Sequence, residues 1–264
     1  MQVAVSIAPL ASFAREIAGD HADVHLLVPP GASPHTYQLR PDQMKLLSKA
    51  SVLVLNGVGL EYWATKAIDA ADNPDLIVVK TADGVDILQS GEDHNHQSGN
   101  PHVWLSPLCA MHQASAIRDA FIQADPEHAN EYRANADAYQ KRLSQLDQDI
   151  RRSIQQFSSR QFVAFHSAWV YFARDYGLVQ AAVVESVPGK EPAPSEIRDV
   201  VNTIRQLNAK AIFAEPQLSD KAAQVIADET DAQVLHLDPL GQPPDYDYID
   251  TMRRNVEEMA RALK

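Results

Sequence analysis

The chain has 264 residues, 45% hydrophobic and 22% charged, an ordinary globular composition with enough length for one large domain or two modest ones. With 23 Lys and Arg against 35 Asp and Glu, the formal net charge of -12 argues against nonspecific nucleic-acid binding and against docking on anionic lipid. One cysteine, Cys109, excludes an internal disulfide and any Cys-rich zinc module, and no apolar run approaches the ~20 residues of a membrane helix.

Met1-Gln2 leads directly into Val3 to Ile7, a β-branched run that reads as a strand, with no basic and apolar signal-peptide regions before it. Either the protein is cytoplasmic or a targeting segment has been removed. Val24 to Val28, Val52 to Leu55 and Leu76 to Val79 read as three further strands, and Leu10 to Ala18, Pro41 to Lys49 and Glu61 to Ala71 as the helices between them. Strands apolar on both faces and separated by helices indicate βαβ units in a parallel sheet. Leu88 to Asn100 is polar, carries Gly91 and Gly99, and reads as a loop. Ser106-Pro107 then supplies an N-cap and a proline at the first helical position, opening a helix to about Gln123.

Asp125-Pro126-Glu127 starts another helix. Tyr132, Ala136, Tyr139, Leu143, Leu146, Ile150, Ile154 and Phe157 then recur at steps of three or four, with no Gly or Pro among them. At 1.5 Å per residue this helix is roughly 45 Å long. It reads as a long core helix or, more specifically, as a strut between two lobes. After Arg160 the alternation resumes, with strands at Phe162 to Phe165, Ala181 to Val184, Ala211 to Phe213 and Val234 to Leu237. Helices fall at Ala168 to Tyr176, Ser195 to Leu207, Ser219 to Glu229 and Tyr248 to Leu263. The expected fold class is α/β: two lobes, 1–125 and 158–264, each with a four-stranded mainly parallel sheet flanked by helices, joined by one long rigid helix, 126–157.

No Gly-x-Gly-x-x-Gly, Walker loop, His-Glu-x-x-His helix or Gly-x-Ser-x-Gly elbow occurs, which disfavours nucleotide enzymes, common zinc proteases and serine hydrolases. What remains is the placement of histidines. Ligands of open parallel sheets bind beyond the carboxyl ends of the strands. His35 follows the second strand, His166 ends the fifth, Asp238 ends the eighth, and His102 lies between the polar loop and the helix opened at Ser106. If the lobes face each other, three imidazoles and one carboxylate converge. Such a set suits tetrahedral Zn²⁺ and leans away from Mn²⁺, which prefers more oxygen. Each member also has a structural reading: a hydrogen-bonded His at a strand end, or an Asp forming a turn before Pro239. His236 is a rival for the site, sharing the last strand with Asp238. Asp93, His94 and His96 form a small loop cluster, readable either as solvated surface or as a weak outer metal site. His21, His25, His112 and His128 read as surface or helix positions. Glu185 and Glu215, also near strand ends, read as acceptors that orient the imidazoles or as ordinary carboxylates.

The sequence resembles the solute-binding proteins of zinc and manganese ABC importers over nearly its whole length. The motifs that carry the resemblance are Pro29-Pro30-Gly31-Ala32-Ser33-Pro34-His35-Thr36-Tyr37, Asn100-Pro101-His102-Val103-Trp104-Leu105-Ser106-Pro107, Phe165-His166 and Leu237-Asp238-Pro239-Leu240. It implies metal ligands at His35, His102, His166 and Asp238, and two lobes bridged by a long helix. His166, where manganese-type relatives tend to carry Glu, resembles the zinc branch. Two features depart from the family pattern: the loop before His102 is short, and Pro34 stands where some relatives carry Glu, which makes Asp238 the expected fourth ligand. The implied function is a high-affinity extracytoplasmic zinc receptor, monomeric and not an enzyme. Its implied partners are the zinc ion, a membrane permease of an ABC importer and a periplasmic metallochaperone, with no nucleic acid. Export, as a periplasmic protein or membrane-anchored lipoprotein, implies a signal segment absent from this chain. The alternatives are a manganese-specific receptor of the same family and, in other classes, a zinc hydrolase, with an open metal position and a base such as Glu215, and a metal-free small-molecule receptor of the same shape.

Overall fold

The computed structural model describes residues 1–89, 99–185, 190–219, 221–244 and 246–264. The first lobe contains strands β1 (Gln2–Val5), β2 (Asp23–Leu26), β3 (Val52–Leu55) and β4 (Ile77–Lys80). All pair in parallel in the order β2-β1-β3-β4, with Val3 opposite Val24 on one side and Val52 on the other. Helices α1 (Ala8–Ala18), α2 (Pro41–Leu47) and α3 (Ala64–Ala71) make the crossovers. The second lobe repeats the plan. Its strands are β5 (Gln161–Ala164), β6 (Val179–Val183), β7 (Ala211–Ala214) and β8 (Gln233–His236), in the order β6-β5-β7-β8 and again parallel. The intervening and following helices complete the chain: α4 (Pro107–Ala124), α5 (Ala129–Ile154), α6 (Val170–Tyr176), α7 (Pro194–Leu207), α8 (Lys221–Asp228) and α9 (Tyr248–Leu263). Every expected strand forms within two residues of its sequence boundaries.

The two-residue period of a strand sorts each sheet between two layers. Val3, Val5, Val52 and Val54 face the main core, while Ala4, Leu53 and Leu55 face an outer layer with α2 and α3. In the second lobe Phe162, Ala164 and Phe213 face the main core, while Val163, Ile212 and Ala214 face α7 and α8. Ser106 caps α4 as its sequence predicts, its hydroxyl accepting the Cys109 N–H at 3.3 Å with Pro107 in the first turn.

Helix α5 runs between the lobes with Tyr132, Ala136, Tyr139, Leu143, Leu146, Ile150 and Ile154 all buried. Its 26 residues span about 39 Å, less than the sequence period suggests. The first turn, Pro126–His128, winds as a tighter 3-10 turn, and Phe157 stays buried through a turn beyond the helix end. The main core is continuous from the first sheet through α1, α4 and α5 to the second sheet and α9. Although it follows the second lobe in sequence, α9 returns to the first: the Tyr248 N–H donates to the Ser12 hydroxyl at 3.2 Å, and its ring meets Phe13 edge-on at 4.9 Å. Among the described residues no helix is long and apolar enough to cross a membrane.

Candidate metal centre

Three loops leaving the carboxyl ends of the sheets, or passing beside them, bring His35, His102 and His166 together. One ring nitrogen of each lies within 4.8 Å of the other two. The Nε2 atoms of His35 and His166 each stand 3.0 Å from Nε2 of His102. His102 and His166 are buried, and His35 is half-buried. Between them lies a cavity of about 20 Å³, walled also by Trp104, Glu215 and Leu240. That is room for one small ion or one water.

The outer ring nitrogen of His102 fixes its tautomer. Asn100 Oδ1 lies 2.9 Å from His102 Nδ1 and also accepts the His102 backbone N–H at 3.0 Å. The Asn100 amide nitrogen donates to the Ser167 carbonyl at 2.5 Å, which sets which end of the amide faces His102. The His102 proton therefore sits on Nδ1. His166 Nδ1 lies 2.5 Å from the buried Glu215 carboxylate, a close contact without hydrogen-bond alignment. With the His102 proton on Nδ1, its Nε2 is an acceptor facing Nε2 of both His35 and His166 at hydrogen-bond distance.

The supports of this cluster are buried and cross between lobes. Asn100 is 1% exposed, and its carbonyl accepts from the Tyr171 hydroxyl on α6 at 2.7 Å. Gly99 before it has φ +91°, and a Cβ there would lie 2.4 Å from Ile87 Cγ2, so only glycine fits. Asn56 donates to the Pro101 carbonyl at 2.8 Å. The Glu61 carboxylate accepts the N–H groups of Asn56 and Gly57 at 2.8 and 3.0 Å. Burial pushes the Glu61 pKa above its ordinary 4.5, while hydrogen bonds from Ser6, Asn56 and Gly57 pull it down. Trp104 packs on the His102 ring and donates through Nε1 to the Pro239 carbonyl at 2.7 Å, joining the two lobes at the site.

Asp238 is not part of the converging group. Its Oδ1 accepts the N–H groups of Leu240 and Gly241, each at 3.0 Å, and the Gln217 amide at 2.9 Å. Its Oδ2 accepts from the Gln242 amide, and its own backbone is held at both ends by Asn255. The carboxylate closes the Asp-Pro-Leu-Gly turn on itself and lines a separate cavity with His236. His236 is exposed and likewise outside the group. Asp93, His94 and His96 lie outside the described residues.

The sequence profile of a family described as the periplasmic component A of the zinc-uptake complex, ZnuA, matches residues 3–262. The chain belongs to the ZnuA family. It is 26% identical over 279 residues to the high-affinity zinc uptake system protein ZnuA of Bacillus subtilis (strain 168), covering 100% of this chain and 88% of that one. It is 31% identical over 270 residues to the iron-binding protein YfeA of Yersinia pestis, covering 99% and 86%. A crystal structure of a ZnuA superposes with a TM-score of 0.90 at 34% identity, covering 99% of this chain and 98% of that one. ZnuA-type proteins are periplasmic metal-binding receptors and not enzymes, which removes the hydrolase reading.

Within this ZnuA-type framework, sequence reasoning misses the role of Asn100. The signal was present: an Asn two residues before a His, followed by Pro, is a side-chain-to-backbone turn that places a carbonyl oxygen beside the imidazole. Of the two carboxylates read as imidazole acceptors, Glu215 lies beside His166 Nδ1, in contact but without hydrogen-bond alignment. Glu185, also buried, instead lines the larger cavity of about 650 Å³ at the mouth of the site.

Proposed function

We propose that the protein is an extracytoplasmic receptor that binds Zn²⁺ through His35, His102 and His166 and delivers it to the membrane permease of an ABC importer. The observation that carries this reading is the tautomer lock on His102. Asn100 orients His102 so that its Nε2 accepts at the centre of the cluster, 3.0 Å from Nε2 of both His35 and His166, a convergence of ring nitrogens that suits a cation. Zn–N bonds of about 2.0–2.1 Å at tetrahedral angles need N···N separations near ~3.3 Å, so the two pairs at 3.0 Å accept the ion by opening roughly 0.3 Å. The donor set is three neutral nitrogens, which favours zinc over manganese. Asp238 reaches the ion only by giving up the hydrogen bonds of its turn, so the fourth position belongs to solvent. Membership of a family containing both a zinc-uptake protein and an iron-binding protein supports transition-metal cargo and leaves the choice of metal to the donor set.

The test is titration of metal-stripped protein with Zn²⁺, Mn²⁺ and Fe²⁺ against a competing chelator, followed by anomalous scattering from crystals of the loaded protein. One tight zinc equivalent, centred on the three Nε2 atoms and held far more strongly than manganese, is the expected result. Equal affinity for manganese, or an ion bound elsewhere, would overturn the assignment.

A further inference from the structure

His35 differs from its two partners. It is half-buried where they are buried, and it sits in an irregular loop beyond the sheet, whose ladder ends with the Val28 N–H on the Ser6 carbonyl. Inside that loop the backbone makes local turns, Ala32 N–H to the Pro29 carbonyl and Thr36 N–H to the Ser33 carbonyl. A second element reaches over and holds it. The Tyr62 hydroxyl donates to the Tyr37 carbonyl at 2.7 Å and lies 3.3 Å from the Thr36 carbonyl, the two residues that directly follow His35.

The base of this contact is fixed. Tyr62 stands between two buried residues, Glu61 and Trp63, and Glu61 grips the backbone of Asn56 and Gly57. Asn56 in turn holds Pro101, the neighbour of His102. The segment after β3 therefore touches the loops of two metal ligands, one through a buried amide and the other through an exposed phenol. The Tyr62 ring itself is 52% exposed. A partner covering that face of the protein would meet the tether of His35 before it met the metal.

We propose that Tyr62 is the latch on the His35 loop and sets the rate at which the bound cation leaves. The inference rests on the reading of the three histidines as ligands. Loosening the 36–37 carbonyls lets His35 swing away while His102, held by Asn100, and the buried His166 stay in place. Tyr62 is a positioning residue: it touches the loop and not the ion.

The experiment is stopped-flow release of zinc from the loaded full chain into excess chelator, comparing wild type with Tyr62→Phe. Association rate and Tm are measured alongside. Loss of one hydrogen bond predicts release up to about tenfold faster, with association unchanged and Tm lower by no more than about 4 °C because the ring and its neighbours remain. Equal release rates in two zinc-loaded, equally stable proteins overturn the latch alone. A lower Tm with an unchanged release rate makes the hydroxyl merely structural and overturns it too. A wild type that takes up no zinc overturns the ligand reading and the latch together.

Discussion

Replacing Asn100 with Ala removes the side-chain oxygen that takes both the N–H and the Nδ1 proton of His102, and the amide that meets the Ser167 carbonyl. Three buried polar groups lose their partner, each worth ~1–3 kcal/mol if left unsatisfied. Water entering the vacated space repairs part of this, so the expected loss of stability is about 2–4 kcal/mol. Losing the outer partner of a metal-bound His costs about 10–100-fold in affinity, or ~1.4–2.7 kcal/mol. Asn100→Asp separates the two effects. A carboxylate still accepts from His102, so zinc affinity stays within about threefold of wild type. Its second oxygen opposes the Ser167 carbonyl, so stability still falls by ~1–3 kcal/mol. Affinity is read by chelator competition and stability by urea unfolding. A folded Asn100→Ala protein with wild-type zinc affinity would refute the argument that Asn100 sets the His102 tautomer.

Two further outcomes test separate parts of the structure. Asp238→Ala dismantles the turn that holds Leu240 and Gly241, and should lower Tm by roughly 2–8 °C while zinc affinity, followed by calorimetric titration, stays within about fivefold of wild type. A loss beyond a hundredfold would make Asp238 a ligand after all. At the start of α5, Asp125 accepts hydrogen bonds from the Tyr132 hydroxyl and His128 Nδ1, both at 2.7 Å. The Tyr132 bond first, and then His128, hold its carboxyl below the ordinary 3.8 against the opposing effect of burial. The folded value lies below the unfolded one, so this stabilisation is present above pH 3.8 and is lost as pH falls through the folded value. Asp125→Asn should therefore melt lower than wild type at pH 7, with the gap closing in strong acid; a gap independent of pH would contradict it.

The architecture was legible where periodicity carries the signal. The apolar face of α5 from Tyr132 to Ile154 is visible at steps of three and four, and the β-branched runs mark all eight strands because both faces of each sheet are covered. The three histidines were legible for a topological reason, since parallel strands deliver their following loops to one edge. Asp238, the expected fourth ligand, stands apart from the three imidazoles because strand direction says where a residue emerges and not which way its side chain turns. After Asp238 the chain turns through Pro239 to Gly241, and the carboxylate caps that turn before it can reach anything else. Asn56, and Asn100 in its contact with Ser167, went unassigned for a related reason: each acts on a backbone group 45 or 67 residues away, a separation without any local pattern.

The uninterrupted interior has a consequence for how this receptor can move. Buried side chains from Val3 to Leu263 belong to a single packed body, and the final helix is stitched back onto the opening one. Among the described residues this apolar cluster runs through both lobes, so a chain severed near Asp125 would leave each fragment with a greasy wall facing solvent. A continuous interior of this kind favours motion in the rim of loops that carries His35 over motion of one half against the other.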